Sequence, residues 1–107
     1  MTGTDDDLLA EQRAYYDARA GEYDEWWERR GRYDLGAEGN AAWEAGKAAV
    51  RRAMDALPFE GAVLEFAGGT GYWTEYLARR ARRVRMLDAS APMIESSRRR
   101  LAAAGLL

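Results

Sequence analysis

The segment AVLEFAGGTG, Ala62 to Gly71, constrains the fold of this 107-residue chain more than any other. From Ala62 to Ala67 every residue but Glu65 is apolar, and the run is entered through PFEG and left through GGTG. A short apolar run bounded in this way predicts a strand buried on both faces of a parallel sheet. The glycines let the chain turn directly into a helix, and they let a ligand approach the backbone where a Cβ would collide with it. Taken alone, the turn fits a ligand cradle and a plain strand-to-helix joint equally well.

The residues that follow narrow the choice. Tyr72, Tyr76 and Leu77 set apolar side chains along a helix, and VRML, Val84 to Leu87, predicts a second strand that ends at Asp88, seventeen residues beyond Gly71. Ser90 or Ala91 then opens a further helix, with Pro92 in its first turn and Met93, Ile94 and Leu101 on its inner side. Strand, glycine turn, helix, strand, acid and helix in this order predict a right-handed βαβ unit with one more helix. A carboxylate at the end of the second strand accepts hydrogen bonds from both hydroxyls of a ribose. The competing role for Asp88 is a turn or cap aspartate ahead of Ser90, but the joint spacing of glycines and acid points to a nucleoside.

Ahead of this unit the chain reads as helical. Asp5 to Asp7 can cap a helix running to residue 19, and Leu9, Gln12, Tyr16, Ala20, Tyr23 and Trp27 recur at helical spacing, with Gly21 breaking into a second short helix over Glu22 to Arg29. The aromatic side chains Tyr15, Tyr16, Tyr23, Trp26, Trp27 and Tyr33 read first as packing residues. After a loop from Gly31 to Gly39, the positions Trp43, Lys47, Val50, Met54 and Leu57 predict an amphipathic helix stopped by Pro58. Residues 1–57 therefore form a helical cap region, and residues 58–107 the first half of a nucleotide-binding domain.

Composition removes several chemistries. There is no cysteine and no histidine, which excludes disulfides, thiolate nucleophiles, imidazole bases and the common zinc sites; no metal is expected. No apolar run nears the roughly 18 residues of a membrane helix, and the acidic start is unlike a secretory signal, so a cytoplasmic protein without a membrane partner is expected. Residues 1–34 carry ten acids against five bases, and residues 79–107 eight arginines against two acids. The basic stretches RRARRVR and SRRR lack interleaved aromatics for base stacking, so they read as solvated helix and strand surface and no nucleic-acid partner is expected.

Two residues bear on which nucleoside is bound. A dinucleotide site carries a third small residue three positions after the second glycine, where this chain has Thr74, and it leaves the strand free of acids, where this chain has Glu65. A carboxylate in a buried strand costs several kcal/mol unless a cation or donor meets it. The ammonium and sulfonium of S-adenosylmethionine would supply that positive charge, whereas a pyrophosphate would be repelled.

These residues carry a family resemblance. VLEFAGGTGYWT resembles motif I of class I S-adenosylmethionine-dependent methyltransferases of the small-molecule type, VRMLDASAPMIESSRRRL resembles the segment after it, and YYDARAGEYD resembles the amino-terminal helix that covers the cofactor in many of them. The resemblance implies an α/β chain with a partial Rossmann-like class I methyltransferase fold: cap helices, then the first βαβα of a mostly parallel sheet. It implies that Glu65 meets the methionine amino group directly or through water. Ala67, Gly69 and Gly71 would line the methionine and ribose, Asp88 would hold the ribose diol, Ala89 would lie at the adenine edge and Met93 would pack on the ring. Tyr16 and Arg19, one turn apart, would reach the cofactor carboxylate. Ala67 departs from the commonest glycine, and Gly68 stands where another small residue is frequent and is expected to add only flexibility. The implied reaction is in-line transfer of the sulfonium methyl to an oxygen, nitrogen or carbon of a small-molecule acceptor. Tyr23, Trp27 and Tyr33 are either acceptor-site or packing residues, and no catalytic residue is assigned.

The family's sheet has further strands, and this sequence ends at AAAGLL, after the second. Two parallel strands leave a bare edge and bare faces. The expectation is a fragment of a longer protein, or a chain that folds by pairing its sheet edge with another copy. In isolation it should bind S-adenosylmethionine weakly or not at all and be inactive. Two rival readings stand beside the methyltransferase: an NAD(P)-dependent oxidoreductase fragment built on the same βαβ unit, and a non-catalytic remnant or interaction module.

Overall fold

The computed structural model describes residues 4–107. In chain order the elements are α1 (Asp5–Arg19), α2 (Tyr23–Glu28), a 3-10 turn (Gly31–Tyr33), α3 (Gly36–Asp55), β1 (Ala62–Phe66), α4 (Tyr72–Ala78), β2 (Arg83–Leu87) and α5 (Ala91–Ala103). The two strands pair in parallel, with Ala62 opposite Arg83 and Phe66 opposite Leu87. Strand, glycine turn, helix, strand, aspartate and helix thus follow one another as the sequence predicts.

Local chemistry accounts for the helix ends. Thr4 caps α1 by accepting from the amide of Asp7 at 3.1 Å while Asp7 accepts from the amide of Thr4 at 3.1 Å, a reciprocal capping box. Ser90 caps α5, accepting from Met93 N at 3.3 Å, and the proline sits in the first turn. The loop expected over Gly31 to Gly39 is shorter than its glycines imply, because α3 already begins at Gly36. Asp34 accepts from the amide of Gly36 and the side-chain amide of Asn40, each at 2.8 Å, and Asn40 accepts from Leu35 N at 3.0 Å. These crossed polar contacts start the helix that the glycine content disfavours.

Packing falls into two centres. One joins α4, α5 and the glycine turn, where Leu77 and Met93 are buried with Thr70, Thr74, Ser90 and Ser97. Here α4 meets α5 closely: a Cβ on Gly71, whose φ is +91°, would lie 3.0 Å from the backbone Cα of Ser97 and overlap its hydroxyl. The other centre binds α2, α3 and α4 through Trp26, Trp27, Trp43, Tyr72, Trp73 and Tyr76, whose neighbouring rings stand 5.0 to 6.2 Å apart. Lys47, the only lysine in the chain, is buried within it, 4.9 Å from the Trp27 ring centre and paired with Glu44 at 3.0 Å.

The sheet corrects one expectation. β1 is half-buried, not buried on both faces: Val63 and Glu65 turn toward the helices, while Leu64 is 52% and Phe66 71% exposed. Both strands alternate in this way because α4 and α5 cover a single face. The arginine stretches are also only partly solvated. Arg80 donates to the carbonyls of Met54 and Leu57 at 3.0 and 3.1 Å, closing the end of α3, and Arg100 is drawn inward as described below.

Candidate functional site

The carboxyl ends of β1 and β2 open into a cavity of about 430 Å³ lined by Leu9, Gln12, Arg13, Tyr16, Tyr23, Ala67, Gly69, Asp88, Ala89, Ser90 and Met93. Of the residues singled out in the sequence, Tyr16, Ala67, Gly69, Asp88, Ala89 and Met93 meet at this one place. Crevices beyond the carboxyl ends of parallel strands are where ligands of open α/β sheets bind.

Asp88 organises the cavity floor. One carboxylate oxygen accepts from the amide of Gly69 at 2.9 Å, and the other from the amide of Ser90 at 2.8 Å. Its place as a turn aspartate and its place in the cavity are thus compatible, since each oxygen keeps a further acceptor site. Ala67 ends β1 by donating to Leu87 O at 2.7 Å and adopts a φ of +55°. That left-handed backbone costs a non-glycine residue about 1 to 2 kcal/mol, strain of a kind found at ligand sites. Gly69 follows at φ +61°, with the Tyr23 ring 3.9 Å from where its Cβ would stand.

The cap helices are fastened to the turn by two polar clamps. Ser90 Oγ donates to Asp17 of α1 at 2.6 Å. Thr70 Oγ1 donates to Asp24 of α2 at 2.6 Å, Arg100 reaches the other oxygen of Asp24 at 2.8 Å, and Arg100 Nε donates to Thr70 O at 3.1 Å. The second clamp holds the neighbouring Tyr23 over Gly69. Burial holds the Tyr23 phenol above its ordinary pKa, and Tyr16, Asp24 and Asp88 add to this, so it stays a neutral donor.

The remaining assigned residues lie elsewhere. Glu65 sits beneath the turn, half-buried, accepting from Thr74 Oγ1 of α4. Burial raises its pKa, the Thr74 hydroxyl lowers it, and Asp88 raises it further. Gly71 faces Ser97, not the cavity. Arg19 donates to Tyr15 Oη at 2.7 Å and stacks on that ring. Trp27 belongs to the aromatic centre, its carbonyl accepting from Trp43 Nε1 at 2.8 Å, and Tyr33 donates to Glu22 at 2.9 Å.

A family described as "Methyltransferase domain" matches residues 63–106, from β1 through the end of α5. Two solved structures match nearly the whole chain. One is described as the DhpI–SAH complex, 38% identical over 96% of this chain and 43% of its own, with a TM-score of 0.66. The other, the DhpI–SAM–HEP complex, is 38% identical over 98% of this chain and 41% of its own, also with a TM-score of 0.66. Residues 63–106 thus match a methyltransferase domain, and the chain has the partial Rossmann-like fold of a class I methyltransferase. The two strands and five α-helices of the described residues are a part of that fold, and the chain spans about two fifths of the solved relatives. No curated protein matches it.

Within this methyltransferase segment, sequence reasoning missed three features. Gly68 is a steric requirement and not a source of flexibility: a Cβ there would overlap the Met86 side chain and lie 2.9 Å from Glu65 Oε1. Met86 is eighteen residues away, so no local pattern shows it. Ser90, which the sequence marks as a helix start, also lines the cavity and ties α1 down. Tyr23 lies at the cavity, where its sequence position in a helical stripe left it among the packing or acceptor-site residues.

Proposed function

We propose that the crevice is the donor half-site of an S-adenosylmethionine-dependent methyltransferase acting on a small molecule. One observation carries this reading: Glu65 and Asp88, at the ends of adjacent parallel strands, have no ion-pair partner among the described residues, whereas Asp24, beside the same turn, is paired with Arg100. Two carboxylates left without a counter-ion favour a ligand that brings positive charge and disfavour a pyrophosphate. The DhpI complexes with SAM and SAH support the same donor.

In this reading Asp88 accepts from the ribose diol, Gly69 and the strained Ala67 let the ligand lie against the backbone, Ala89 borders the adenine and Met93 packs on it. Tyr16 and Arg19 serve the carboxylate, for which Arg19 must leave Tyr15. Glu65 attracts the ammonium from beneath the turn, and Gly71 serves the site indirectly through the packing of α4 on α5. The donor supplies the methyl group, and this chain's part is to orient it and exclude water. Residues 1–57 act as the cap region and residues 58–107 as the cofactor half. We assign the protein to the cytoplasm, no helix among the described residues being long and apolar enough to cross a membrane. Pairing of the bare sheet edge is the route by which copies would associate.

Calorimetric titration with S-adenosylhomocysteine and with NADH tests the reading. Weak saturable heat with the first at millimolar ligand and none with the second is expected, and in the full-length protein Asp88→Ala should weaken that binding by about 1 to 3 kcal/mol, the scale of lost hydrogen bonds to a charged group. Saturable binding of NADH with none of S-adenosylhomocysteine would overturn it in favour of a nicotinamide enzyme.

A further inference from the structure

The contact between Glu65 and Thr74 has a role of its own. Thr74 is buried at 3% exposure on the inner face of α4, and its hydroxyl donates to Glu65 Oε1. From the other side the bare Cα of Gly68 fits against the same oxygen and against Met86, where any side chain would displace one or both. The carboxylate thus meets a hydroxyl on α4 and lies, like the Met86 side chain of β2, where a side chain on Gly68 would stand. We propose that Thr74 is a positioning residue for Glu65: its hydroxyl, beside the bare Cα of Gly68, holds the carboxylate in one orientation beneath the turn, where the half-site presents it to a cationic donor.

This inference rests on the donor reading above, but its geometry belongs to the chain alone. A hydroxyl donating to a carboxylate stabilises the anion, and no cation among the described residues does so here. Asp88 is the titratable group that acts on Glu65 from the β2 side, while α4 presents Thr74 and the turn presents Gly68. Thr74 thus counters part of the effect of burial and of Asp88, which together still hold the Glu65 carboxyl above its ordinary value. A valine has the same shape and no hydroxyl, so it separates this role from packing.

The experiment is an NMR titration of side-chain carboxyl carbons in the chain, with Glu65 and Asp88 followed separately, for the native protein, Thr74→Val and Thr74→Ser. The Glu65 midpoint should rise by about half a pH unit or more in Thr74→Val and return near the native value in Thr74→Ser. An unchanged midpoint in Thr74→Val overturns the proposal. Should that variant unfold, the Cβ shift of Thr74 in the native chain decides: it should follow the Glu65 midpoint and lose that transition in Glu65→Gln. A Thr74 shift indifferent to Glu65 overturns the proposal equally. Absence of S-adenosylmethionine binding by the native chain would instead count against the donor reading and leave the Glu65 titration to be judged by itself.

Discussion

The helical front and the βαβ half treat charge beside apolar surface in opposite ways. In residues 4–57 Lys47 is buried among aromatic rings with Glu44 and Glu28 at 3.0 and 3.9 Å, and Arg29 stacks 3.6 Å from the Trp43 ring centre. In residues 58–107 two carboxylates meet at the strand ends without a cation, a non-glycine residue holds a left-handed backbone, and one sheet face is bare. The front meets its buried lysine with carboxylates and lays Arg29, whose Nε has no hydrogen-bond partner, on aromatic rings, as a scaffold does. A region that leaves like charges side by side, at a cost to its stability, is built around something it does not itself contain.

The contrast can be broken or sharpened by substitution. The largest effect is expected from Trp43→Ala, which removes rings packed against Trp26 and Trp27, the stacked Arg29 and a hydrogen bond to Trp27 O; it should cost about 3 kcal/mol in urea denaturation. A loss no greater than that of an exposed aromatic would mean the front is not held by this cluster. Gly68→Ala should follow at about 1 to 3 kcal/mol, the scale of overpacking, because its Cβ meets Met86 and Glu65. A neutral result there would show that Met86 yields freely and that Gly68 carries only flexibility after all.

Glu65→Gln should act in the other direction. Burial raises the Glu65 pKa above its ordinary 4.5, so the folded state binds the proton more tightly than the unfolded chain. Stability from this group is present below pH 4.5 and is lost as pH rises through the raised midpoint. The glutamine variant should therefore melt above the native protein at neutral pH, with the gap closing in acid. A variant less stable at neutral pH would mean that Glu65 has a stabilising counter-charge in the folded chain. The smallest change belongs to Phe66→Ser: at 71% exposure the ring has little to lose, and a shift below about 0.5 kcal/mol is expected. A larger loss would show that the open sheet face is covered in solution.

Much of this was legible in the sequence because the signals are local. The strand before GGTG, Asp88 after VRML and the Ser90–Pro92 helix start all follow from residues within one turn or strand of each other. The family resemblance and the cavity residues Ala67, Gly69, Asp88, Ala89 and Met93 rest on those signals. What was not legible depends on distant partners. The early start of α3 needs Asp34 and Asn40 to override two glycines, the need for Gly68 comes from Met86, and Tyr23 is carried to the cavity beside Asp24, which Thr70 and Arg100 clamp. The half-burial of β1 could not be read from its apolar run, since that pattern reports which residues can be buried and not which face has a neighbour.

The central claim is that the strand-end crevice receives S-adenosylmethionine, and amide chemical-shift mapping of the ¹⁵N-labelled chain tests it most directly. Carried to millimolar ligand, it also registers the weak binding expected of a chain spanning two fifths of its relatives. The account predicts saturable shifts centred on Gly69, Ala89 and Ser90, with the amides around Trp43 unmoved and NADH without effect. Shifts confined to the aromatic front, or shifts at the crevice with NADH and none with S-adenosylmethionine, would contradict it.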